Sequence, residues 1–281
     1  MASIKDKLLA IGAALAYPQV RLKPAITKEH FSGKWVLVTG ASHGIGRALT
    51  EKLIDADANV FLIARSEAEL QYLCDRAKQR GNRADYCAID LRDREKLELL
   101  CQKLKETLPQ LDYFFCNAGK SIHRKITDAL DRLHDYDRTI DLNYRALVAL
   151  SLALLPALKA SKGSIVYSSS VSTRYPMAPG WSAYHASKSA ANTWCETANS
   201  EFAPLGIRVQ IAYLPLVHTA MSDVNERYRQ LPAYYPADAA NILLRLAIRK
   251  GKRYQPWWAK LSAPIAYLFA PIVHLFYKRM V

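Results

Sequence analysis

Tyr184 and Lys188 stand four residues apart in WSAYHASKSAANTW (181–194), a run of small, helix-tolerant residues. Positions i and i+4 are neighbours on one helix face, so a phenol and an ammonium there can act on the same atom. The chemistry this pairing suits is proton transfer. An unperturbed phenol titrates near ~10, too high for easy work at neutral pH, and a neighbouring positive charge favours the phenolate and lowers that value. A tyrosine and a lysine at this spacing also arise when one side chain merely snorkels past the other. The pair therefore gains meaning only from other stretches of the chain.

One such stretch is WVLVTGASHGIGRALTEKL (35–53), which sets Gly40, Gly44 and Gly46 between a strand pattern and a helix pattern. Side chains in such a turn would keep the backbone away from a pyrophosphate, while the N-terminus of the following helix supplies N–H donors and a favourable dipole. A glycine-rich turn carries weight only with a strand before it and a helix after it, and both are present here.

Both stretches need a rigid frame. Strand-like apolar runs occur at 35–38, 59–64, 84–89, 111–116, 164–169 and 208–213, with helical patterns between them. Leu97, Leu100 and Leu104 mark one helix and residues 142–158 another, both by the 3.6-residue period. Alternation of this kind predicts an α/β, doubly wound parallel sheet with helices on both faces. A chain of 281 residues, 51% hydrophobic, can bury one large core, and no repeat or linker divides it. The five cysteines are scattered without a CxxC pair, which points to neither a disulfide framework nor a metal site and fits a reducing, cytoplasmic compartment.

The spacing TGxxxGIG (39–46), with CNAG at 116–119 and YHASK at 184–188, resembles the short-chain dehydrogenase/reductase family over about residues 33–255. The resemblance implies an extended Rossmann fold of about seven parallel strands, a nicotinamide cofactor, and hydride exchange between a carbonyl and an alcohol. It makes Tyr184 the general acid, Lys188 the residue that holds the nicotinamide ribose, and Ser170 the hydroxyl that bonds the substrate oxygen. Ser169 and Ser168 stay open as alternatives, because the interval from Ser170 to Tyr184 is one residue longer than the commonest family spacing. Asn143 in DLNYRA matches the family asparagine that kinks a long helix in the proton relay, although Ala146 replaces the family glycine three places on. By the same resemblance, Gly40, Ser42, His43, Gly44, Ile45 and Gly46 form the cofactor turn. Asp90 and Leu91 flank the adenine, Asn117, Ala118 and Gly119 pack the adenosine ribose, and Thr219 meets the carboxamide. Leu214 and Pro215 stand where the family usually reads Pro-Gly, a departure that changes backbone freedom and removes a donor.

Cofactor choice follows from charge. Family members that use NAD usually carry an acid at the end of the second strand, and this chain has Ala64 and Arg65 there. A guanidinium matches a 2′-phosphate bidentately, with Ser42 and His43 as further donors, so the expected cofactor is NADP(H).

The net charge of +14 lies at the ends: residues 1–34 carry +4 and residues 239–281 carry +8 without a single acid. Both ends are also apolar, which suits an anionic membrane surface, whereas no reader motif supports nucleic acid. Ile4, Leu8, Ile11 and Leu15 form one stripe of an amphipathic helix in the segment 1–32. The same residues also resemble a short export signal, with LLAIGAALA ahead of an Ala-x-Ala site at 14–16. In the tail, 256–281, residues 261–277 are uncharged but include Pro264 and Pro271. A span normally needs ~20 residues, so an interfacial or re-entrant segment is expected, or else an element folded over the substrate cleft.

From 214 onwards the lid and tail are similar to the reductase module of bacterial fatty acyl-CoA reductases and their membrane-associated relatives. That likeness rests on a PLVxT turn, a proline-rich lid, a helix opened by PADAA and a proline-containing apolar tail. It implies a lipid-like carbonyl substrate: a long-chain ketone, aldehyde or acyl thioester, with a ketosphingoid base or steroid-like ketone as the alternative. A non-catalytic NADP-binding scaffold on membranes is the reading from another class. By family analogy a dimer at least is expected, through helices at 142–158 and 182–203.

Overall fold

The computed structural model describes residues 12, 14–223 and 226–279. Its centre is a seven-stranded parallel sheet in the order β3-β2-β1-β4-β5-β6-β7. The strands are β1 Trp35–Thr39, β2 Asn59–Ala64, β3 Ala84–Ala88, β4 Tyr113–Cys116, β5 Ser164–Ser170, β6 Arg208–Leu214 and β7 Arg253–Tyr254. Successive side chains on a strand face opposite ways, and β1 shows the consequence. Val36 and Val38 join one core layer, Leu37 the other, and all three are fully buried. Strands covered on both faces read as continuous apolar runs, which is why β1, β2 and β4 are legible without alternation.

The first layer is built by α1 (Pro24–Phe31), α2 (Gly44–Asp55), α3 (Glu67–Gln79) and, beyond β6, α9 (Pro236–Arg249). The second is built by α4 (Arg94–Thr107), α6 (Ala146–Ser161) and α7 (Ser182–Phe202). Leu97, Leu100 and Leu104 of α4 are buried there as the 3.6 period predicts. Helix α6 runs on from α5 (Leu133–Ile140) through a π-helical turn at Asp141–Arg145. An 18-residue window of that continuous stretch has a mean hydropathy of 1.3, enough for a membrane span, but half of the window is buried in the protein and it serves as a core helix.

Several boundaries differ from the sequence reading. β5 and β6 each run one residue further and pair Ser170 with Leu214. β4 begins at Tyr113, two residues late, because the Leu111 N–H bonds the Ala157 carbonyl of α6 (3.1 Å). β7 is two residues long and has no apolar run to announce it.

The ends fold back on the domain. Phe31 is fully buried with its ring centroid 4.7 Å from that of Tyr113, and Tyr17 packs edge-on against Tyr234 at 5.4 Å. Of the expected N-terminal stripe, Ile4, Leu8 and Ile11 lie outside the described residues, while Leu15 is exposed. A four-residue helix, α8 (Glu226–Arg229), lies in the lid, and the chain closes with α10 (Trp257–Leu268) and α11 (Ala270–Lys278). These last two meet at an angle of 83°. Pro271 falls in the first turn of α11, where a missing N–H costs no helix bond.

Candidate active site

Strand order reverses at β1, whose neighbours are β2 on one side and β4 on the other, so a crevice opens at the carboxyl ends of the strands. The glycine turn fills that position. Gly40 has φ +68° and Gly44 φ +54°, values that side chains resist. A Cβ on Gly46 would lie 2.0 Å from the Gly40 carbonyl oxygen, so helix α2 can pack against the turn only with glycine there. The N-terminus of α2 faces the crevice with no side-chain cap, since His43 turns its Nδ1 to Ser42 Oγ (2.9 Å). Ile45 follows in the first turn of α2, half-buried.

Asn117, Ala118 and Gly119 leave β4 beside this turn, and the Thr39 hydroxyl braces them by accepting from Asn117 N and Ala118 N, both at 3.1 Å. A Cβ on Gly119 would stand 3.2 Å from Asn143 Oδ1 and 3.4 Å from Lys188 Nζ. Bare backbone therefore borders the crevice on two sides, a cradle that Cβ atoms would fill and that fits a dinucleotide. Arg65 directly follows β2 and is exposed. The Asp90 carboxylate is clasped by Arg92 Nε at 2.9 and 3.0 Å, which, with a weaker pull from Arg65, holds it below the usual carboxylate range. Leu91 is buried next to it. Thr219 reaches the same turn from the lid, its Cγ2 3.2 Å from where a Gly44 Cβ would be. Leu214 closes β6 and is 5% exposed, so the departure from Pro-Gly leaves the strand end packed.

The reacting end lies across β5 and α7. The Ser170 side chain lies beside the Tyr184 phenol. Ser169, on the opposite side of the strand, gives its hydroxyl to Asn192 (2.6 Å), and Ser168 is buried without a side-chain partner. Among the three serines, Ser170 is the one whose hydroxyl meets the phenol. Burial pushes the phenol above its ordinary value, and the Ser170 side chain pulls it partly back. Lys188 is 5% exposed, and burial pushes its ammonium down to about 8. It donates to the Ser168 carbonyl (2.8 Å) and lies 4.7 Å from the Tyr167 ring centroid. The sequence reading has Lys188 lowering the phenol. In the structure desolvation raises the phenol, and the ammonium is turned to the β5 backbone.

Asn143 sits in the π-helical turn, 1% exposed, and is fully committed. Its Oδ1 accepts from Lys120 N (2.8 Å), while Nδ2 donates to Lys120 O and Ser187 Oγ (2.9 Å each). It thus ties the loop after β4 to α7, with Gly119 and Lys188 in between. Ala146 opens α6 and is buried, so its methyl fits the packing in place of the family glycine.

Residues outside the motifs complete the site. Ser172 Oγ lies 2.8 Å from Ser170 Oγ and 3.1 Å from His185 Nε2, giving a chain Tyr184–Ser170–Ser172–His185. His185 is 5% exposed, and burial lowers its pKa, favouring the neutral ring. Trp181 stacks edge-on against Tyr184 (5.9 Å) and lies nearly parallel to Tyr228 of the lid (6.1 Å). His185 and Trp181 were visible as aromatic neighbours of Tyr184, but nothing in their spacing told which way they pointed. Among the described residues no cluster of metal-ligating side chains occurs.

A glycine-lined crevice at the strand reversal, with a phenol, an ammonium and a serine gathered at its far end, defines a Rossmann-type oxidoreductase. The sequence profile described as short chain dehydrogenase matches residues 34–229, and the chain belongs to that family. It is 33% identical over 251 residues to a fatty acyl-CoA reductase of Acinetobacter baylyi, covering 89% of this chain and 84% of that one. A fatty acyl-CoA reductase of Mycobacterium tuberculosis is 32% identical, with 85% and 82% covered. A short-chain dehydrogenase from Streptomyces avermitilis superposes with a TM-score of 0.70 at 26% identity, over 87% of this chain and 95% of that one. A metagenomic short-chain oxidoreductase solved in complex with NADP gives 0.65 at 27% identity, over 78% and 91%.

Proposed function

We propose that the protein is an NADPH-dependent reductase of a carbonyl on a long-chain, lipid-like substrate: a ketone, an aldehyde or an acyl thioester. The observation that carries this reading is the gathering of the Tyr184 phenol, the Ser170 side chain and the buried Lys188 ammonium beside the Gly119 backbone. Bound NADPH would supply the hydride that reduces the carbonyl carbon. The chain supplies the rest. Tyr184 gives its proton to the substrate oxygen, and the Ser170 side chain opposes the burial that raises the phenol. Ser170 donates to the same oxygen as negative charge develops there. Ser172 and His185 fix the direction of the Ser170 hydroxyl. Lys188 holds the ribose and brings a positive charge to the site.

Preference for the phosphorylated cofactor rests on Arg65 at the end of β2, where a carboxylate would repel the 2′-phosphate. Substrate class rests on the two fatty acyl-CoA reductase relatives and the apolar tail. Reduction of a thioester would release a thiol and an aldehyde, and a second hydride and proton would give the alcohol. A covalent cysteine route is not supported, since burial raises Cys116 to about 11 and Cys195 well above its usual value. A ketosphingoid or steroid-like ketone would use the same residues. The scaffold reading is disfavoured by the complete Tyr184, Lys188 and Ser170 set. A reducing cytoplasmic setting and a dimer through α6 and α7 belong to the same proposal.

The test is NADPH oxidation over a panel of long-chain ketones, aldehydes and acyl thioesters in detergent. Turnover with at least one class is expected, with NADPH bound more tightly than NADH in calorimetry. Tight nucleotide binding with no turnover on any class would favour the scaffold, and tighter NADH binding would remove the assignment of Arg65.

A further inference from the structure

We propose that α10 and α11 form a monotopic wedge that seats in the surface of an anionic bilayer and holds the mouth of the active site against the lipid. Leu261, Ile265 and Leu268 follow one another at four and three residues on α10, and Ile272, Leu275 and Phe276 at three and one on α11. Each set shares a helix face, and each of the six side chains is more than half exposed. A large apolar surface of this kind marks an interaction site. At 12 and 9 residues the helices are about 18 and 14 Å long, well short of the ~30 Å hydrocarbon core. Their 83° bend prevents them from adding into one span, so the pair can enter one leaflet without crossing both.

Charge selects the occupant. Lys260, Lys278 and Arg279 are exposed near the two ends of the pair, and no acid occurs from 239 to 281. A second copy placed on this face would bring like charges together, whereas an anionic leaflet answers them. Trp257 and Trp258 stand at the base of the wedge, their indoles donating to the carbonyls of Leu15 and Ala16 (2.9 Å each). Amphipathic rings of this kind collect at the membrane–water boundary.

Three hydrogen bonds tie the wedge to the loop after β5. Ser262 Oγ lies 2.6 Å from Tyr175 Oη, Tyr267 Oη donates to Tyr175 O (3.2 Å), and Tyr277 Oη donates to Pro176 O (3.3 Å). That loop joins Ser170 to Trp181 and Tyr184, so a seated wedge places the entrance where an alkyl chain can pass from the leaflet into the site. This last step rests on the reductase reading; the docking itself does not.

The test floats full-length protein with vesicles of phosphatidylcholine alone, or of three parts phosphatidylcholine to one of phosphatidylglycerol. Roughly a hundredfold stronger binding to the anionic vesicles is expected from three basic side chains at the surface. The double variant Leu268→Glu, Ile272→Glu should bind at least about tenfold more weakly. It should keep its NADPH affinity and its turnover of a short, water-soluble carbonyl, and lose turnover of a long-chain carbonyl carried in vesicles. Wild-type protein that stays out of the anionic vesicle layer, or a double variant that floats like wild type, would overturn the wedge. So would a dimer that the double variant dissociates in sedimentation while wild type ignores vesicles. If no carbonyl is turned over but flotation behaves as stated, the reductase reading fails and the docking stands.

Discussion

Replacing Lys188 by methionine should make the protein more stable and catalytically inert at the same time. The ammonium is 5% exposed and its pKa is pushed from 10.5 down to about 8 by burial. A shift of that size corresponds to about 3 kcal/mol of native-state penalty on the charged form at neutral pH. Methionine is unbranched and near in volume, but it leaves the Ser168 carbonyl without the donor it has at 2.8 Å, a loss of about 1–2 kcal/mol. The net expectation is a gain of about 1–2 kcal/mol, or roughly 2–6 °C in Tm for a chain of this size. Because the folded pKa lies below the unfolded one, the unfolded chain holds the extra proton between about 8 and 10.5. Wild-type stability from this group therefore rises with pH through that window, and the advantage of Lys188→Met should shrink towards pH 10. Thermal melts without cofactor at a series of pH values, beside NADPH turnover, read both effects. A variant that melts at or below wild type at pH 7, or whose difference from wild type does not change with pH, would refute the account of a buried, strained ammonium.

Three further outcomes follow from the same geometry. Tyr184→Phe should lower turnover by about 10²–10⁴-fold while NADPH affinity measured by calorimetry stays within a few-fold, and equal loss of both would make the residue structural. Arg65→Glu should reverse the preference between NADPH and NADH by at least tenfold, since a carboxylate at the end of β2 repels the 2′-phosphate; an unchanged ratio would reduce Arg65 to a solvated charge. In the reductive direction kcat/KM should fall as pH rises through about 8, where Lys188 loses its proton, and a flat profile up to pH 10 would show that this charge is not used.

The parts of the site that the sequence exposed are those whose cause is local. A Gly46 Cβ 2.0 Å from the Gly40 carbonyl is a clash within seven residues of chain, and the motif TGxxxGIG records it directly. Sheet layers were legible for a related reason: β1, β2 and β4 are buried on both faces and had to be written in apolar residues. The serine triplet was not. Ser168 and Ser170 lie two residues apart and share a side of β5, so period-two reasoning separates Ser169 from both but cannot choose between them. The choice is made by α7, which brings Tyr184 to the strand end. β7 was silent for want of length, and the π-helical turn at Asp141–Arg145 was announced only by the family resemblance at Asn143, because DLNYR carries no glycine or proline to mark it.

The same distinction explains why the direction of the Tyr184 shift is not legible in the sequence. Spacing reports that a phenol and an ammonium share a helix face, and from that alone their charges should help one another. What spacing omits is the competing acceptor: the Ser168 carbonyl belongs to another element and takes the ammonium. Burial then acts on the phenol with Ser170 as its opposing influence. Ser170 answers to Ser172 and His185, so the strength of that influence is governed from the loop after β5. It is the loop to which the C-terminal helices are tied.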